Sequence, residues 1–101
     1  MYARVTHCPV QPGKLEEFIR VIQDISVTQT KQQPGFRNGY LLTDQATGIA
    51  IVISLWETEA DLKASETGGY LREQIAKIAP LLVALPIRET FEVSHQANEI
   101  G

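Results

Sequence analysis

Few side chains in this sequence can do chemistry, and they are spread along the chain. His7 is one of two histidines, and an imidazole with an ordinary pKa of about 6.5 can deprotonate a phenol or stabilise its oxyanion. The competing role is that of a strand histidine hydrogen-bonded at an interface or exposed to water. Arg4 can bind an anionic ligand, although an arginine on a sheet face also pairs across strands with a carboxylate such as Glu89 or Glu92. Trp56, the sole tryptophan, can stack on a planar substrate and donate its indole N–H, or it can anchor a core or a dimer interface. Tyr40 and Tyr70 can each donate a phenolic hydrogen bond to a bound carbonyl, or pack with the hydroxyl in water. The expected site has His7 and Tyr70 as catalytic groups, with Trp56, Arg4 and Tyr40 binding substrate.

Other chemistries find less support. His7 and His95 sit at opposite ends of the chain, with no His-x-x-His, Cys-x-x-Cys or carboxylate cluster, so no metal is expected. No Gly-x-Ser-x-Gly elbow exists. Cys8 is the only cysteine, cannot form an internal disulfide, and reads as an inert strand residue in a reducing, cytoplasmic setting. A chain of 101 residues with 44% hydrophobic and 21% charged residues suits one soluble domain, expected over residues 1–95 with a flexible tail at 96–101. Its net charge of -3, with Lys and Arg scattered, marks neither a nucleic-acid nor a membrane surface. No apolar run approaches the roughly 20 residues that span a bilayer. The opening MYARVTHCPV lacks the basic and apolar segments of a secretory signal, so none is expected.

The elements that must position these residues follow from periodicity. Residues 2–10 read as a strand, with Val5, Thr6 and Val10 β-branched and Pro9 at its end. From Lys14 the apolar period changes: Leu15, Phe18, Ile19, Ile22 and Ile25 lie on one helical face, with Lys31 in the last turn and Pro34-Gly35 as the stop. Residues 36–44 and 49–57 are strands joined by the turn Gln45-Ala46-Thr47-Gly48, an antiparallel hairpin. Asn38-Gly39 suggests a bulge. Thr58, three residues before Asp61, opens a short helix in a variant of the capping box. Gly68-Gly69 interrupts that helix, Leu71, Ile75, Ile78 and Leu82 continue on one face, and Pro80 kinks or restarts it. Residues 87–94 form the last strand. The order β-α-β-β-α-β predicts an α+β, ferredoxin-like fold: an antiparallel four-stranded sheet with helices on one face.

Such a sheet leaves its other face to water and should alternate apolar with polar. The third strand does not. Ile49, Ile51, Ile53 and Leu55 point one way and Ala50, Val52, Ser54 and Trp56 the other. Burial of both faces predicts a homodimer, sheet against sheet; the alternative makes Ala50 and Val52 a small tolerated surface patch.

The segments Val10-Gln11-Pro12-Gly13-Lys14-Leu15-Glu16-Glu17-Phe18, Gln33-Pro34-Gly35-Phe36 and Leu55-Trp56-Glu57-Thr58-Glu59-Ala60-Asp61-Leu62 resemble the antibiotic-biosynthesis-monooxygenase-like family, the dimeric α/β barrels, over residues 2–94. The resemblance implies a homodimer with a small-molecule pocket in each subunit between helices and sheet. It also implies oxidation of a small aromatic phenol or quinol by O2 without a metal or cofactor; the alternative is a non-catalytic dimer of the same fold that binds a small molecule. Two histidines of quinol-oxidising members fall here on Ser65 and Tyr70, and neither can replace an imidazole base near neutral pH. Residues 57–94 hold no histidine for the haem of haem-degrading members.

Overall fold

A computed structural model describes residues 1–97, so the expected tail falls, from residue 98 on, outside the described residues. The elements run β1 (Tyr2–Pro9), α1 (Leu15–Thr28), β2 (Phe36–Asp44), β3 (Ile49–Trp56), α2 (Glu59–Thr67), α3 (Tyr70–Ile78) and β4 (Ile87–Glu92). The strands form one sheet in the order β2-β3-β1-β4, every neighbouring pair antiparallel. This is the expected ferredoxin-like arrangement. Glu59–Thr67 and Tyr70–Ile78 divide at Gly68-Gly69, because Gly69 takes a left-handed φ of 90° that side chains avoid. Thr58 caps α2 as its spacing suggests: its Oγ accepts the Asp61 backbone N–H at 3.1 Å. Gly35 likewise sits at a left-handed φ of 78°, where a Cβ would collide with the Asp61 side chain.

Several boundaries differ from the sequence reading. Helix α1 ends at Thr28 and Lys31 falls in a separate 3-10 turn, Thr30–Gln32. Pro80 starts another such turn, Ala79–Leu81, after which Leu82 bridges Val10 instead of extending α3. The bulge in β2 lies between Phe36 and Asn38, one step before Asn38-Gly39.

Register decides which side chains share a face. Pairing Tyr2 with Trp56, Arg4 with Ser54, Thr6 with Val52 and Cys8 with Ala50 places these eight on the face beneath the helices. There Phe18, Ile22 and Ile25 of α1 and Ile78 of α3 close the core over Cys8 and Ala50. The opposite face carries Ala3, Val5 and His7, the row Ile49 to Leu55, Tyr40 and Leu42 from β2, and Ile87, Glu89 and Phe91 from β4. No helix among the described residues covers it. Ala50 and Val52 are therefore inside, and the idea that they form the surface patch is corrected: the isoleucine row is the open one. Ala50 has no exposed surface, whereas Ile49 is 43% exposed.

Candidate functional site

Small residues on the covered face leave a gap beneath the helices. Thr6, Cys8, Val52 and Ser54 do not fill the space that α1 and α3 span, and a cavity of about 410 Å³ results. Its apolar wall is formed by Ile19, Ile22, Leu71, Ile75 and Ile78, and Gln23, Ser26 and Gln74 also line it. A space of this size accepts a small organic molecule.

Arg4 lines this cavity from β1 and is only 3% exposed. One of its terminal nitrogens donates to Ser65 Oγ at 2.8 Å, and the Ser65 hydroxyl in turn donates to the Leu62 carbonyl. The guanidinium carbon lies 5.3 Å from the centroid of the Trp56 ring, within cation–π range. Neither Glu89 nor Glu92 pairs with it. Glu89 sits opposite Val5 and so projects to the other face, where its Oε1 lies 2.9 Å from His7 Nε2; Glu92 is exposed opposite Tyr2. Among the described residues Arg4 has no ion pair with a carboxylate. Burial pulls its pKa down, opposed by the fields of Glu66 and Tyr70. A guanidinium keeps its charge even so.

Tyr70 also lines the cavity, hydrogen-bonded to Thr30 Oγ1. Burial pushes its phenol above the ordinary range, against the pull of the Thr30 bond and of Arg4. It is thus a hydrogen-bond donor at neutral pH and not a base. Cys8 is pushed up to about 11 by burial alone and stays a thiol.

The other sequence-derived candidates sit elsewhere. Trp56 is fully buried and is not part of the cavity wall: Phe36 meets its ring edge-on at 5.6 Å, and its indole N–H donates to Ser54 Oγ at 2.9 Å. It supports Arg4 and does not offer a free face for stacking. Tyr40 meets the cavity edge along strand β2, but its pairing with Ile53 turns the side chain to the open face, where it is half exposed, so the expected substrate-binding role is corrected. His7 lies on the open face beside Glu89, away from Arg4 and Tyr70, so the structure does not bring the two expected catalytic groups together. Sequence reasoning missed Ser54 and Thr30. Ser54 was discoverable from the cross-strand pairing with Arg4, but Thr30 depends on a turn whose approach to Tyr70 no local pattern encodes.

An antiparallel 2-3-1-4 sheet with a ligand-sized cavity under its helices defines a ferredoxin-like α+β domain. The antibiotic biosynthesis monooxygenase family model matches residues 1–77, and the chain belongs to that family. No curated protein matches the sequence. Among solved structures, a protein of unknown function from Nitrosomonas europaea is 18% identical, covering 99% of this chain and 95% of its own, with a TM-score of 0.80. SnoaB, a cofactor-independent oxygenase from Streptomyces nogalater solved as a mutant, is 17% identical over 97% of each chain, with a TM-score of 0.79. An antibiotic biosynthesis monooxygenase candidate from Caulobacter crescentus CB15 is 23% identical over 93% of this chain and 90% of that one, with a TM-score of 0.78. At such identities the likeness concerns the fold.

Proposed function

We propose that the protein oxidises a small aromatic phenol or quinol with O2, without a cofactor, in the cavity under α1 and α3. The observation that supports this most is Arg4, a buried cation with no carboxylate partner among the described residues, set at the edge of a largely apolar space. An ionised phenol is electron-rich enough to meet dioxygen directly, and a fixed cation at its oxygen stabilises that anion. In the overall reaction a ring carbon loses its hydrogen and takes one oxygen atom. The other oxygen leaves as water with that hydrogen and the phenolic proton, giving a quinone. Arg4 would hold the phenolic oxygen, Tyr70 would donate a hydrogen bond to it, and Trp56 would brace Arg4. Membership of the family adds support.

The functional unit in this reading is a homodimer joined through the open sheet face, with His7 and Glu89 at the junction. Tyr40, Leu42, Ile87 and Phe91 on that face are each about half exposed or more, a contiguous apolar surface of the kind that marks an interface. No described helix is long and apolar enough to cross a membrane. The buried Cys8 thiol is consistent with a cytoplasmic location.

One observation favours a second reading, a non-catalytic homodimer that binds a small molecule. Among the described residues the cavity wall has no histidine, aspartate or glutamate to act as a base. Oxygen consumption with a panel of naphthoquinols and anthrones separates the two. Uptake above the protein-free rate, at least roughly tenfold lower in Arg4→Gln and unchanged in His7→Ala, is the expected result. If no substrate raises uptake above the protein-free rate, oxidation is set aside and the binding reading stands.

A further inference from the structure

The groups around the cavity are unbalanced: hydrogen-bond donors converge on it, and among the described residues no anion does. Arg4 is its only charged lining residue among those described, and one side-chain hydrogen bond, to Ser65, leaves most of its five N–H donors without an acceptor among the described residues. Ser54, its cross-strand neighbour, already accepts the Trp56 indole N–H on its oxygen, so its own hydroxyl proton is available to the cavity. Tyr70 and Thr30 share one hydrogen bond between two hydroxyls, which leaves one further proton to donate. A buried guanidinium carries a desolvation cost, and among the described residues it is met only by the Ser65 hydroxyl, the Trp56 ring face and the fields of Glu66 and Tyr70, with no carboxylate in contact. A bound oxyanion would offset it.

From this arrangement we propose that the cavity takes its ligand already ionised, as a planar aromatic oxyanion seated on the free edge of Arg4, with Ser54 and the Tyr70–Thr30 pair as further donors. The aromatic ring then lies against Ile22, Ile75 and Ile78, which are apolar and carry no competing polar group. Two consequences follow for the ligand class. A carboxylate beside the ring satisfies the site at any neutral pH, and a phenol satisfies it only once its proton has left. Since the wall has no base, that proton goes to water, and the acidity of the ligand itself governs occupancy. This inference rests on the cavity being the ligand site, and it holds whether or not oxidation follows.

Titration calorimetry with two isosteric probes tests it on the wild-type chain: 2-naphthoate, an anion, and 2-naphthamide, its neutral counterpart. Naphthoate should bind roughly 10- to 100-fold more tightly, the range expected for hydrogen bonds to a desolvated charge. In Arg4→Gln that preference should fall to within about twofold. A third probe, 2-naphthol, reads the same preference by spectrum: a tenfold preference for the anion lowers the apparent pKa of the bound naphthol by about one unit, and the shift should disappear in Arg4→Gln. Equal affinity for naphthoate and naphthamide, or no binding of either, overturns the proposal. A naphthoate preference that survives in folded Arg4→Gln overturns the assignment to Arg4. None of these readings uses oxygen, so a null result in oxygen uptake beside a clear naphthoate preference removes the oxidation and keeps the anion site.

Discussion

The two faces of the sheet invert the usual arrangement of small proteins. The face beneath the helices carries Arg4, Thr6, Cys8, Ala50, Val52 and Ser54, mostly small or polar, while the face open to solvent carries Val5, Ile51, Ile53, Leu55 and Phe91. Covered small residues leave space, and that space is the cavity. Uncovered large ones leave apolar surface that no element among the described residues buries. The difference teaches that the two faces serve different purposes. Stability of the single chain comes from the cluster around Phe18, Ile25 and Cys8, to which the isoleucine row, on the open face, does not belong.

Breaking this division has its largest effect on the covered side. Phe18 is fully buried in the cluster, so Phe18→Ala should cost about 3–5 kcal/mol in urea unfolding. Leu42→Ser, on the open face and half exposed, should cost under about 0.5 kcal/mol at concentrations where the chain is monomeric. Comparable losses from both variants in dilute protein would abolish the distinction between the faces. The open face has its own test. Ile51 lies between His7 on β1 and Leu42 on β2, at the centre of the apolar surface. Light scattering on a sizing column should give twice the 11.2 kDa chain mass for the wild type. Ile51→Lys should weaken the dimer by roughly 100-fold or more, because a buried lysine leaves an unpaired charge at the junction. A wild-type mass of one chain at micromolar concentration would remove the partner from the comparison.

Much of the fold was legible because local rules agree with one another: the 3.6-residue period of α1, the Thr58 cap, the Gly68-Gly69 break and the hairpin turn each have a near-neighbour cause. The inward face of β3 was not legible. Hydrophobicity alone favours Ile49, Ile51, Ile53 and Leu55 as the core row, but the pairing with β1 turns Ala50 and Trp56 inward. The site was legible in part. Arg4, Tyr40 and Tyr70 do border the cavity, yet the partner of Arg4 is Ser65, sixty-one positions away, and not a carboxylate on the adjoining strand. Such a contact is set by how α2 crosses β1, which no spacing in the sequence records. His7 attracted attention by residue type, and its alternation with Arg4 along β1 sends it to the other face.

A pH-dependent effect sharpens the contrast by asking how dry the covered face is. Cys8 has no exposed surface, and burial pushes its thiol from an ordinary 9.0 up to about 11. In the unfolded chain the thiol ionises at its ordinary value, so above about pH 9 the unfolded state gains a stabilisation that the folded state lacks until its own thiol ionises near 11. The raised pKa therefore contributes stability fully below pH 9, and that contribution is lost as pH rises to about 11. At about 1.4 kcal/mol per unit, the wild type should lose up to roughly 2.5 kcal/mol across that window relative to Cys8→Ala, in which other titrations are shared and cancel. Urea midpoints of the two proteins at half-unit pH steps measure the difference. A gap that stays constant from pH 8.5 to 11 would mean that the thiol titrates as it does in water, and that the space beneath the helices is wet at the Cys8 end.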